Sequence, residues 1–172
     1  MARLTILTAP DKRLKQKSLP VLEVDGSVRR LMDDMLETMY AAPGIGLAAP
    51  QVGVLRRVIV VDVANKREME PPNPLFLANP EIIVRDGVTT YEEGCLSVPE
   101  TIYEVARAAS ITVKALDRQG NPLYLEAEGL LAICLQHEID HLDGILFIDH
   151  ISRLKREMVL RRLRKRQLEE GR

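Results

Sequence analysis

The stretch from Gly129 to Leu142 restricts this chain more than any other, because it is apolar at most positions yet contains His137-Glu138-Ile139-Asp140-His141. Leu130, Leu131, Ile133, Leu135, Ile139 and Leu142 mark it as a largely buried helix. A buried charge is costly unless a partner answers it, which favours a metal ion. Positions i and i+4 of a helix share a face, so both imidazoles can reach one ion. Glu138 sits about 100° round the helix, placed to hold a water rather than to ligate. A Lewis acid beside a general base is the minimum for hydrolysing an amide.

Two imidazoles are too few for a site, so a third ligand is needed. The extended pattern His-Glu-x-x-His-x-x-Gly-x-x-His keeps its glycine in Gly144 but has Phe147 where the third histidine would stand. A glutamate on a later helix is another solution, and Glu157 is the only early candidate, set among arginines. Cys134 lies on the same helix, but the midpoint of the two histidines is five residues further on, an axial offset of about 7.5 Å. Side chains lean toward the helix N-terminus, which takes that sulfur further away. Cys134 reads as a small buried apolar residue. Cys95, in the turn Glu93-Gly94-Cys95-Leu96-Ser97, can approach from across the helix face. A Cys-His-His set leaves the fourth position open, as a catalytic site requires.

The rest of the chain predicts an α+β fold, with antiparallel or mixed sheets around the central helix. Asp25 to Ala42 reads as a first helix, capped by Asp25 or Ser27, with Val28, Leu31, Met35 and Met39 at helical spacing. Ala41 to Gly53, broken by Pro43, Gly44, Gly46, Pro50 and Gly53, reads as a loop. The β-branched run Arg57 to Val63 is a buried strand, and Asn65 to Pro74 an exposed loop. Further strands are expected near 76–85, 88–92, 101–107, 110–117 and 122–127, and a third helix from Ser152 to about Glu169. One domain of 172 residues is expected, with a core over about 6–152 and the last helix over about 152–169. No apolar run approaches the roughly 18–20 residues of a membrane span. The start lacks a secretory signal, and two cysteines are too few for a disulfide framework. A reduced cytoplasmic protein fits these features.

Three separated segments resemble the motifs of the peptide deformylase family. They are Gly44-Ile45-Gly46-Leu47-Ala48-Ala49-Pro50-Gln51, Glu93-Gly94-Cys95-Leu96-Ser97 and Gln136-His137-Glu138-Ile139-Asp140-His141, in the family's order. The similarity runs from Ile6 to Ser152. It implies that Cys95, His137 and His141 bind one divalent ion, typically Fe(II), with Zn(II) or another divalent metal able to replace it. It implies that Glu138 moves the proton, while the Gln51 amide and the Leu96 backbone N–H hold the developing oxyanion. Gly46 would let backbone approach the substrate, the formyl-methionyl end of a nascent polypeptide. Gly94 belongs to the same substrate site, and Ile45, Leu130, Ile133 and Cys134 could line an apolar pocket for an unbranched thioether side chain.

The net charge of −1 conceals an uneven distribution. Ser152 to Arg166 has eight Lys or Arg against Glu157 alone, so this segment carries +7 and the remainder −8. Ile151, Leu154 and Met158 form an apolar stripe that could dock its first turns. The family resemblance implies ribosome contact through this basic helix; a merely solvated helix end is the plainer reading. A zinc endopeptidase, a cysteine hydrolase with Cys95 as nucleophile, and a non-catalytic metal site or ribosome-binding module are the rival functions.

Overall fold

Asp25 starts the first helix, α1 (Gly26–Ala41), by accepting the Val28 N–H at 3.0 Å on its carboxylate. Ser27 donates its hydroxyl to the same carboxylate, so Asp25 is the cap and Ser27 its support. Val28, Met32, Met35 and Met39 are fully buried, while Leu31 is only partly so. The computed structural model describes residues 2–64 and 66–171. Asn65, the first residue of the expected polar loop, lies outside them; the stretch 66–73 is exposed and holds one 3-10 turn, Lys66–Glu68.

The segment expected to be a loop is more ordered than its glycines and prolines suggest. It contains a strand, β1 (Gly46–Ala48), followed by a 3-10 turn, Ala49–Val52, that ends on Gly53 at φ 81°. Strand β1 pairs antiparallel with β2 (Val58–Val61), Gly46 opposite Val61 and Ala48 opposite Ile59. Three residues are too few to show a period, so only tertiary pairing reveals this strand. The remaining strands are β3 (Leu75–Asp86), β4 (Thr89–Cys95), β5 (Val98–Arg107), β6 (Ser110–Leu116) and β7 (Pro122–Glu128). They form an antiparallel sheet of order β1-β2-β3-β6-β7 and a separate hairpin, β4-β5. The α+β expectation holds.

Helix α2 (Gly129–Leu142) follows β7 without a linker, turned by Gly129 at φ 60°. It packs on the large sheet: Ala132, Leu135, Ile139 and Leu142 meet Ala48, Ile59, Val61, Leu77 and Val113. Helix α1 covers the other face, where Val58 and Val60 join Met32, Met35 and Met39. Both faces of β2 are therefore buried, which explains its unbroken apolar run. Beyond α2, Gly144 turns at φ 73°, where a β-carbon would sit 2.4 Å from the Lys15 carbonyl oxygen.

The last helix, α3 (Arg153–Glu170), is capped by Ser152 and docks differently from the expectation. Leu154 and Met158 are 70% and 60% exposed, whereas Val159 and Leu163 are buried against Val98, Val105 and Phe147, with Ile151 and Leu160 beside them. The docking face is chosen by the hairpin and Phe147, which meet the middle of the helix rather than its first turn. None of the described helices is long and apolar enough to cross a membrane. In urea denaturation, Leu163→Ala should cost about 2–5 kcal/mol and Leu154→Ala less than about 0.5 kcal/mol. Equal losses would contradict this docking.

Candidate active site

The inner end of α2 is where the chain's chemistry gathers. Cys95, His137 and His141 offer ligand atoms that all lie within 4.8 Å of one another. The hairpin contributes Cys95 at the end of β4, and α2 contributes both imidazoles from one face. The Cys95 Sγ is 3.4 Å from His141 Nε2. Cys134 is not in this group: its Sγ lies 3.6 Å from the Ile45 carbonyl oxygen, and burial pushes its thiol pKa well up. Phe147, at the position of the absent third histidine, stacks on His137 with centroids 6.0 Å apart.

Behind His137 runs a chain of charges that the sequence did not reveal. His137 Nδ1 is 2.9 Å from Glu93 Oε1, which leaves Nε2 to face the cluster. Arg107 holds both oxygens of Glu93 at 2.8 Å and donates to Asp140 at 2.6 Å. Asp140 in turn meets His150 Nε2 at 2.8 Å. Burial alone would raise the Glu93 carboxyl, but Arg107 and His137 outweigh it and hold it low. Burial likewise disfavours charge on His137, yet Glu138, Cys95 and Glu93 hold that imidazole well above its usual range. His141, buried and beside His137, is held well below its usual range.

Glu138 lies next to the triplet, and burial pushes its carboxyl up to about 7. Its Oε1 is buried with no hydrogen-bond partner among the described residues, and buried polar atoms are seldom left so. His141 Nδ1 is likewise unpartnered, but it lies on the far side of the ring from the Nε2 that meets Cys95. The donor set, the anionic surroundings and the unanswered Glu138 oxygen fit a divalent cation.

Gly46 lies against Glu138: a β-carbon there would come within 2.4 Å of Glu138 Oε2 and 2.8 Å of Cys134 Sγ. Gln51 enters from the 3-10 turn. Its Oε1 accepts from the Ala48 N–H at 2.9 Å, which turns Nε2 toward Ser97 Oγ at 3.0 Å and Cys95 Sγ at 3.6 Å. Gly46, Gln51, Cys95, His137 and Glu138 line a groove of about 670 Å³, together with Ile45, Gly94, Leu96, Leu130, Ile133 and Cys134. Every residue proposed from sequence therefore lines the groove or, like His141, lies at its floor. Glu93 could have been found from strand alternation, which sets it two residues from Cys95. Arg107, His150 and the outer rim of Tyr91, Glu100, Thr101 and Ile102 carried no local signal.

An open groove ending on a half-buried thiol, two buried imidazoles and a carboxylate is the arrangement of a metal-dependent hydrolase. Residues 3–157 match the family model for polypeptide deformylase, and the chain belongs to that family. It is 58% identical over 161 residues to a peptide deformylase of Agrobacterium fabrum, covering 93% of this chain and 94% of that one. Its fold is similar to the crystal structure of peptide deformylase from Ehrlichia chaffeensis, with TM-score 0.93, 40% identity, and coverage of 99% and 100%. It also resembles the Met-Ala-Ser-bound peptide deformylase of Acinetobacter baumannii, with TM-score 0.81, 37% identity, and coverage of 87% and 99%.

The Arg107–Glu93 pair is buried, so Arg107→Ala strands a carboxylate and should cost about 3–5 kcal/mol in urea denaturation. Breaking the exposed Arg153–Glu157 pair should cost less than about 1 kcal/mol. Similar costs for the two would refute the network's structural role.

Proposed function

We propose that this chain removes the N-terminal formyl group from the formyl-methionine of newly made polypeptides and releases formate, as a cytoplasmic enzyme working as one domain. The observation that carries the reading is the meeting of Cys95, His137, His141 and Glu138 at the floor of one groove in a chain of this family. Support for the substrate comes from the Met-Ala-Ser peptide bound by the Acinetobacter baumannii relative and from the apolar wall of Ile45, Leu130 and Ile133. A zinc endopeptidase is not favoured, since the family match accounts for the cysteine and the two histidines together.

Cys95, His137 and His141 would hold the metal, with Fe(II) as the native ion and Zn(II) or another divalent ion able to occupy the same mixed thiolate and imidazole set. Such an ion supplies Lewis acidity and makes a water nucleophilic near neutral pH. Glu138 takes a proton from the attacking water as its oxygen bonds to the formyl carbon. The Gln51 Nε2 amide and the Leu96 backbone N–H donate to the carbonyl oxygen as it becomes negative, each such donor being worth about 10²–10³ in rate. Glu138 then passes the proton to the leaving amine as the C–N bond breaks, leaving formate and a free N-terminus. Glu93 orients His137, and Gly46 and Gly94 leave room for the peptide backbone.

Glu138→Ala should retain one metal per chain yet lose about 10²–10⁴ in formate release from a formyl-Met peptide. His137→Ala and His141→Ala should lose metal and activity together. A formyl-thioester trapped on Cys95 would transfer the reaction to a cysteine nucleophile and overturn this mechanism.

The basic helix is proposed to contact ribosomal RNA where new chains emerge. Leu163 anchors α3, so the test is charge reversal at the exposed Arg161, Arg164 and Lys165 rather than truncation. The triple Glu variant should keep activity on a free formyl-peptide and lose salt-sensitive ribosome co-sedimentation. Undiminished sedimentation would return α3 to a solvated helix end.

A further inference from the structure

The outer rim of the groove is built on a break in the β4–β5 hairpin. Glu93 faces Tyr103 and Cys95 faces Val98, so Gly94 alone stands opposite the four residues Pro99 to Ile102. A bulge of that size takes backbone groups out of the ladder and needs other partners for them. Glu100, inside the bulge, has φ 57°, a conformation that a residue with a β-carbon adopts only when its surroundings enforce it. The rim packs beside the strand that carries Cys95: a β-carbon on Gly94 would be in van der Waals contact with the Thr101 carbonyl oxygen at 3.4 Å and Ile102 Cγ1 at 3.7 Å. Glu100, Thr101 and Ile102 all line the groove.

The missing partner comes from α3. Arg162 donates from Nη1 to the Glu100 carbonyl at 3.0 Å and from Nη2 to the Pro99 carbonyl at 3.0 Å. Nη2 also donates to the Thr101 hydroxyl, which itself donates to the Pro99 carbonyl at 3.1 Å. The neighbouring Arg166 sits 3.7 Å from the Glu100 carboxylate. One planar guanidinium thus satisfies three acceptors on three consecutive residues, a task its rigid fork suits and a lysine ammonium does not. Val159 and Leu163, buried on the same helix, fix where that fork points.

We propose that Arg162 is a positioning residue for the polypeptide groove, so that the C-terminal helix shapes recognition of residues beyond the formyl-methionine. This rests on the deformylase reading. On that reading the first residue would take the wall of Gly46, Leu130 and Ile133, and the residues after it the rim of Glu100, Thr101 and Ile102, whose backbone Arg162 holds. Loss of Arg162 therefore weakens binding of long substrates and spares both the short ones and the chemical step. Binding lost equally from ground and transition states appears in KM and not in kcat.

The test compares kcat and KM for formyl-Met-Ala and formyl-Met-Ala-Ser-Ala in the metal-loaded wild type, Arg162→Ala and Arg162→Lys. In Arg162→Ala, KM for the tetrapeptide should rise about tenfold, while its KM for the dipeptide and both kcat values stay within about twofold. Arg162→Lys keeps the charge without the fork and should raise the tetrapeptide KM about threefold; it decides the matter if the alanine variant does not fold. Equal losses on both peptides, a fall in kcat alone, or an unchanged KM ratio would overturn the assignment. A wild type that releases formate from neither peptide overturns the deformylase reading and this assignment with it. An active wild type with unchanged discrimination in both variants overturns this assignment alone.

Discussion

Arg107 and Glu93 hold the site together from behind, and most of the surrounding structure answers to that pair. Both side chains are buried, so neither tolerates the loss of the other. Glu93 sits on β4 and Arg107 at the end of β5, so their contact locks the hairpin that delivers Cys95. Through Asp140 and His137 the same network reaches α2, so hairpin and helix are joined by charge where they must also be joined by geometry. Taking His137, Glu138 and His141 into the interior is costly, and this network offsets part of that cost, as the proposed cation would.

Hydrophobic packing then determines where the helix lies. The large sheet takes α1 on one face and α2 on the other, so β2 is buried on both. Strand β1, at the edge of that sheet, brings Gly46 against Glu138, where no side chain fits. The 3-10 turn that follows aims Gln51 at the same point. Three segments far apart in sequence thus converge on one groove, the first of them through two short elements, β1 and the turn after it, whose positions depend on pairing with a stronger strand.

What could be read from the chain follows from this division. Helix α2 was legible because periodicity and chemistry agreed: apolar residues buried it, and the i, i+4 histidines gave it a role. Cys95 was legible because axial distance and side-chain lean both set Cys134 aside, leaving the cysteine on a separate segment. Strand β1 was hidden by the glycine and proline spacing that its function requires. The buried face of α3 was misjudged because Leu154 and Met158 look as apolar as Val159 and Leu163, and only the position of Val98, Val105 and Phe147 separates them. Arg107, Arg162 and His150 act through contacts set by hairpin register and helix docking, which leave no mark in the local pattern.

The central claim is that one thiolate and two imidazoles from these two segments share an ion. X-ray absorption at the metal edge of anaerobically purified protein, loaded with one equivalent of Fe(II) or Zn(II), tests it most directly. With zinc, the expected shell contains one sulfur at about 2.3 Å and two imidazole nitrogens at about 2.0–2.1 Å, the remaining ligand being a light atom. The sulfur should vanish in Cys95→Ser and persist in Cys134→Ser. Two sulfurs in the shell, or a sulfur lost with Cys134 rather than Cys95, would contradict the site.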